Sequence, residues 1–191
     1  MIVVKIGGGL LAHPRHLDAV LAEIAAASQH GALLLVPGGG PFADAVRDVN
    51  RRLGLSDDAA HWMAVLAMDQ FAHLIVGRFA GAVLVFEPGE IGRAHAAGRV
   101  PVLAPYRWLR EMDPLPHSWA VTSDSIAAWV AGQMGAERLV LVKPPYATGT
   151  ALVDAYFPQA LPPGVGPETI PADRIEALQS ALRALPLIPN P

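Results

Sequence analysis

Two glycine triplets constrain this chain more than any other feature. Gly7–Gly9 follows the apolar run Ile2-Val3-Val4-Lys5-Ile6, and Gly38–Gly40 follows Ala32-Leu33-Leu34-Leu35-Val36 and Pro37. Both runs are too short for a stable helix and rich in strand-forming or apolar residues, so each reads as a buried strand. An amphipathic stretch follows each triplet. The first carries Leu17, Val20, Leu21 and Ile24 behind Pro14; the second carries Ala43, Val46, Val49 and Leu53 behind Pro41. These patterns predict helices opened by proline. Glycine has no Cβ to keep an anion away from backbone N–H groups. Strand, glycine turn and helix N-terminus therefore make an anion cradle, and two of them at equivalent strand ends make a repeated device. The plain alternative is that each triplet only lets a helix and a strand approach closely.

Lysine usage points to the same place. The chain has two lysines, Lys5 and Lys143, against twelve arginines, and each lysine closes an apolar run. If Ile2–Ile6 and Arg138–Lys143 are parallel strands of one sheet, both ammonium groups arrive at its C-terminal edge, where open α/β sheets bind ligands. Lysine is a compact point charge, suited to a phosphate that moves. An arginine-rich composition could also leave two lysines there by chance.

With 191 residues, 52% of them hydrophobic and 16% charged, the chain can bury a substantial core and reads as a single domain over 1–191. A net charge of −3 gives no basic footprint, so nucleic acid is not an expected partner. The absence of cysteine removes disulfides and thiolate metal sites and fits a cytoplasmic location. The chain opens directly into a strand, so no secretory signal is expected, and no apolar run reads as a membrane span.

Between the second cradle and Lys143 the pattern alternates. Asp57 opens a long helical stretch to about Phe79, carrying Trp62, Val65, Leu66, Met68, Phe71, Leu74 and Ile75, with His61 in its first turn. Such a helix also suits a subunit interface, so a homo-oligomer is expected. Gly81–Phe86 reads as a third strand, Glu90–Ala97 as a short helix and Arg99–Ala104 as a fourth strand. Pro105–Trp119 reads as an irregular crossover or a binding loop. Thr122 or Ser123 can cap the next helix, which places Asp124 in its first turn and ends at Gly135. Ten of the eighteen prolines follow Lys143. Residues 144–191 thus read as a proline-rich, loop-rich segment with one helix, turned inward by Ile175, Leu178, Leu182 and Leu185, and with frayed residues 186–191.

Motif tests narrow the chemistry. Gly7-Gly8-Gly9-Leu10-Leu11-Ala12 fits a dinucleotide fingerprint in form, but the second strand ends in Val36-Pro37 without the acidic residue that would hold a ribose. No Gly-Lys-Ser/Thr phosphate loop, nucleophile elbow or metal-ligand spacing occurs. Two cradles, two lysines and one aspartate suit phosphoryl transfer, whose loose transition state needs positioning and charge stabilisation. The donor phosphates would lie on Gly7, Gly8 and Gly9, and the acceptor on Gly38, Gly39 and Gly40. Lys5 and Lys143 would neutralise developing charge, Asp124 would fix the lysines, and Mg2+ would arrive on the nucleotide with no protein metal site.

Val4-Lys5-Ile6-Gly7-Gly8-Gly9, Val36-Pro37-Gly38-Gly39-Gly40 and Thr122-Ser123-Asp124-Ser125, in that order, resemble the amino acid kinase family. The resemblance covers roughly residues 1–143. It implies a three-layer αβα sandwich with a mainly parallel central sheet and a shortened C-terminal nucleotide lobe. It also implies ATP and Mg2+ as cofactors, Lys5, Lys143 and Asp124 as catalytic, and Thr122 and Ser123 beside the nucleotide. His61-Trp62 through Met68-Asp69-Gln70, together with Thr122-Ser123-Asp124-Ser125, look most like the branch of methanofuran and methylofuran biosynthesis, which extends [5-(aminomethyl)furan-3-yl]methyl phosphate to a diphosphate. In the related isopentenyl phosphate branch a helix histidine touches the acceptor phosphate, which makes His61 a substrate-binding candidate. Two other expectations stand beside this one: a family member that binds nucleotide or oxyanion without catalysis, and a carboxylate or carbamate kinase.

Overall fold

The computed structural model describes residues 1–148 and 152–183. Six strands form one sheet: β1 (Ile2–Ile6), β2 (Leu33–Pro37), β3 (Ala82–Val85), β4 (Val100–Leu103), β5 (Arg138–Lys143) and β6 (Gly166–Pro171). Their spatial order is β3-β4-β2-β1-β5-β6, and every neighbouring pair is parallel. β1, β2 and β5 are apolar apart from Lys5, Arg138 and Lys143, because helices cover both of their faces.

Helices α1 (Pro14–Ala27), α2 (Gly40–Leu53), α3 (Asp57–Arg78), α4 (Pro88–Ala96), α5 (Tyr106–Met112), α6 (Ser123–Gln133), α7 (Phe157–Ala160) and α8 (Ile175–Arg183) complete the layers. Strand alternation divides the core in two. Ile2, Val4 and Ile6 pack with Leu17, Val20 and Ile24 of α1 and Leu178 and Leu182 of α8. On the other face, Val3, Leu139 and Leu141 pack with Ile126, Ala127 and Val130 of α6. α3 serves both cores: Trp62, Val65 and Met68 join the second, Phe71, Ala72 and Ile75 the first. Its 22 residues are long and apolar enough to cross a membrane by length and composition, contrary to the reading from sequence, and those same apolar side chains fill the two cores.

Four expectations need correction. Leu53 is 74% exposed at the end of α2, and the inner face of that helix is carried by Ala43 and Val46. Pro105–Trp119 is no irregular crossover in its first half, because α5 forms there and the Asp69 carboxylate accepts the Tyr106 N–H at 3.1 Å. A 3-10 turn over Gly8–Ala12 separates β1 from α1. The proline-rich segment supplies a strand, β6, and the short helix α7 as well as α8. β6 is an edge strand paired on one side with β5, and an edge tolerates residues such as Pro167 and Pro171 that lack an N–H. Expectations for Leu185 and residues 186–191 fall outside the described residues.

Candidate active site

β1 lies where the connections change direction, since the chain runs from β1 towards β2 on one side and later returns to β5 on the other. Ligands of open α/β sheets bind at such a switch point, beyond the strand C-termini. Lys5 stands opposite Leu141, two residues before Lys143. Both lysines are in phase with Val3, Leu139 and Leu141, so both emerge on the face that α6 covers.

α6 supplies the counter-charge. Lys143 Nζ donates to Asp124 Oδ2 at 2.7 Å, and Lys5 Nζ lies 2.9 Å from Oδ1. The second contact is an ion pair without the alignment of a hydrogen bond. All three side chains are buried, at 5% exposure for Lys5, 5% for Asp124 and 8% for Lys143. Lys5 is therefore buried at the C-terminal edge of the sheet and not solvent-exposed there. Burial pushes the Asp124 carboxyl up, but Lys5 and Lys143 outweigh it and hold the carboxyl below its usual range. Burial and then Lys5 push the Lys143 amine down, against Asp124 and Asp154, which pull it up. Two amines around one carboxylate leave positive charge in excess when both carry protons. An anion is the natural partner of that excess.

The glycine turns lie against each other. Gly7 N–H donates to Val142 O at 2.8 Å and Gly38 N–H to Ile6 O at 2.8 Å, so both turns grow straight out of the sheet. A Cβ on Gly8 would lie 2.1 Å from Gly40 N, and one on Gly38 would lie 2.6 Å from Gly8 N and 3.2 Å from Ser123 Oγ. Gly40 also holds a positive φ of 52°. Close approach is thus a true part of why glycine stands here, and it joins turn to turn.

A cleft of about 150 Å3 opens beside them. Gly8, Gly40 and Ser123 line it, with Val65, Met68 and Ile126 as apolar lining and Arg47, His61 and Trp119 beside them. The Arg47 guanidinium lies over the Trp119 ring, 4.9 Å from its centre. His61 stacks on His117 with ring centres 4.2 Å apart. His117 in turn places Nδ1 3.0 Å from Asp58 Oδ1 and Nε2 2.8 Å from Asp113 Oδ1. Burial first, and His117 second, push His61 down to about 4. Its folded value lies below the unfolded one, so the unfolded chain takes up the proton first. Stability is then lost as pH falls from 6.5 towards 4, and the full loss is present below 4. His61→Gln is expected to flatten that part of the pH profile in urea unfolding; parallel profiles for variant and parent would refute the assignment.

The structure brings together Lys5, Lys143, Asp124, Ser123 and both triplets, with His61 and Thr122 on the cleft wall. Sequence reasoning missed Arg47, and it offered Trp119 and His117 only as part of the Pro105–Trp119 segment, a crossover or a binding loop. It also missed Asp154, which binds the first turn of α6 through Thr122 and Ser125. Local spacing held no signal for Asp154, which is 29 residues from Ser125 in sequence.

Residues 1–144 match the model of the amino acid kinase family. The chain belongs to the amino acid kinase family. A curated relative from Methanocaldococcus jannaschii, [5-(aminomethyl)furan-3-yl]methyl phosphate kinase, is 27% identical over 143 residues, 74% of this chain. The match spans 64% of that relative's length. Two solved structures share the fold. Uridylate kinase from Archaeoglobus fulgidus has a TM-score of 0.66 at 15% identity, covering 97% of each chain. UMP kinase from Ureaplasma parvum has a TM-score of 0.74 at 14% identity, covering 94% of this chain and 92% of its own. In this amino acid kinase chain the family match ends one residue past Lys143, so β6, α8 and Asp154 lie beyond it. Among the described residues, no three His, Asp or Glu side chains are grouped to hold a metal ion.

Proposed function

We propose that this chain is an ATP-dependent phosphotransferase that extends a small phosphorylated acceptor to a diphosphate, with [5-(aminomethyl)furan-3-yl]methyl phosphate as the acceptor. The observation that carries this reading is the buried Lys5–Asp124–Lys143 cluster at the switch point, beside two touching glycine turns. An acceptor phosphate oxygen attacks the γ-phosphorus, the bond from that phosphorus to the β,γ-bridging oxygen breaks, and ADP leaves with the electron pair. The attacking oxygen is already anionic, so no base is required. Asp124 is free to do what its contacts suggest, which is to hold two amines where charge develops. Mg2+ bound to ATP would neutralise phosphate oxygens.

The acceptor is taken from the relative that shares more sequence, 27% identity against 15% and 14% for the uridylate and UMP kinases that share the fold.

ADP release by the purified protein with Mg-ATP should be measured with the aminomethylfuran phosphate, with UMP and with a carboxylate acceptor. Turnover with the first alone is expected. Nucleotide binding without turnover on any acceptor would favour the non-catalytic reading, and turnover on the carboxylate the third. Lys5→Ala is expected to cut kcat by at least about a hundredfold, the usual effect of losing one charge-stabilising donor. Its fold should survive, because Asp124 keeps Lys143 as a partner. Unchanged turnover in a folded Lys5→Ala would remove Lys5 from the mechanism.

A further inference from the structure

The first amides of a helix have no partner within it, and the positive end of the helix dipole favours a negative charge there. At α6 that charge is supplied from within the chain. Asp154 Oδ2 accepts the Thr122 N–H at 2.9 Å, the Thr122 hydroxyl at 2.7 Å and the Ser125 N–H at 3.0 Å. Asp154 Oδ1 accepts the Ser125 hydroxyl. Four hydrogen bonds thus grip the residues on either side of the Ser123-Asp124 pair. A ligand phosphate brought to these same groups would meet a resident carboxylate. Phosphates are therefore directed to the glycine turns and the lysines.

We propose that Asp154 is a positioning residue of the phosphoryl-transfer site: it clamps the first turn of α6 and thereby fixes the Asp124 carboxylate between Lys5 and Lys143. The segment after β5 is then part of the catalytic framework, although the family match stops at residue 144. Geometry gives the clamp a second effect. The titratable groups that act on Lys143 are Lys5 from β1, Asp124 from α6 and Asp154 from this segment, and Asp154 favours the protonated amine. Neutralising Asp154 should therefore let the Lys143 amine fall further.

The clamp is tested by titration, because the chain carries only two lysines. With 15N-lysine labelling, two side-chain nitrogen signals report Lys5 and Lys143, assigned with Lys5→Arg. Asp154→Asn keeps the shape and removes the charge. The Lys143 midpoint should move down by on the order of half a pH unit, as for a partly screened charge. Asp154→Glu, which keeps the charge, should restore it. In the same variants kcat should fall about tenfold or more, with KM for ATP within about twofold, as for a misplaced catalytic group.

A folded Asp154→Asn with an unshifted Lys143 midpoint overturns the proposal, and so does an unchanged kcat. If Asp154→Asn does not fold, Ser125→Ala decides: it removes one donor of the clamp and leaves the charge, so a several-fold lower kcat supports the proposal and a parental kcat overturns it. The kinetic arm rests on the phosphotransfer reading. An unsubstituted protein that turns over no acceptor defeats that reading, while the lysine titration still decides the clamp.

Discussion

Asp124→Asn is expected to destabilise the protein by about 3–5 kcal/mol, the usual cost of leaving buried charges without their partner. For a chain of this size that lowers Tm by roughly 10 °C. The cause is specific: Lys5 and Lys143 stay buried with no carboxylate between them. The pH dependence follows from the sign of each shift. Asp124 has a folded value below its unfolded one, so its contribution is fully present above the unfolded value and fades as pH falls through the folded value. The gap between parent and variant should therefore narrow in acid. It should narrow again in alkali, once the Lys143 amine, held below its usual range by burial, loses its proton. Phosphate transfer should disappear at every pH. Differential scanning calorimetry across pH checks the first part, and equal Tm values near neutrality would show that the ion cluster contributes nothing to the fold.

Gly8→Ala should be nearly as damaging, for a steric reason. The added carbon would lie 2.1 Å from Gly40 N and 2.4 Å from Gly40 Cα, and backbone atoms cannot rotate away as a side chain can. The two glycine turns must separate, at a cost of about 3 kcal/mol or more. Gly92→Ala in α4 is the matched control, because nothing lies within 4 Å of the carbon it would add. There the same change should raise stability by roughly 0.5–1 kcal/mol, through the lower entropy of the unfolded chain and better helix propensity. Urea unfolding of the two variants should move in opposite directions. Movement in the same direction would refute the claim that contact between the turns requires Gly8.

Local pattern was enough for the parts whose cause is local. β1, β2 and β5 announce themselves as short apolar runs, α1 and α2 as periodic stretches behind prolines, and Lys5 and Lys143 as charges in the last two residues of their strands. Even the meeting of the two lysines was legible, because parallel strands of one sheet deliver their last residues to one edge. β6 was hidden because prolines obscure a strand pattern, and only its place at the sheet edge makes them harmless. Leu53 was misplaced because its helical phase pointed inward, and only the packing of α2 shows where the contact ends.

By itself, then, the sequence determined the strand–glycine–helix units, the parallel sheet and the charges that converge on it. Tertiary structure alone decided that the two glycine turns touch, that Lys5 is buried, that His117 backs His61, and that Asp154 grips α6. The physical reason is the range of each cause: strand and helix patterns act over a few residues, whereas an ion pair or a backbone contact depends on where distant segments come to rest. Asp154 and Ser125 are 29 residues apart along the chain and one hydrogen bond apart in space.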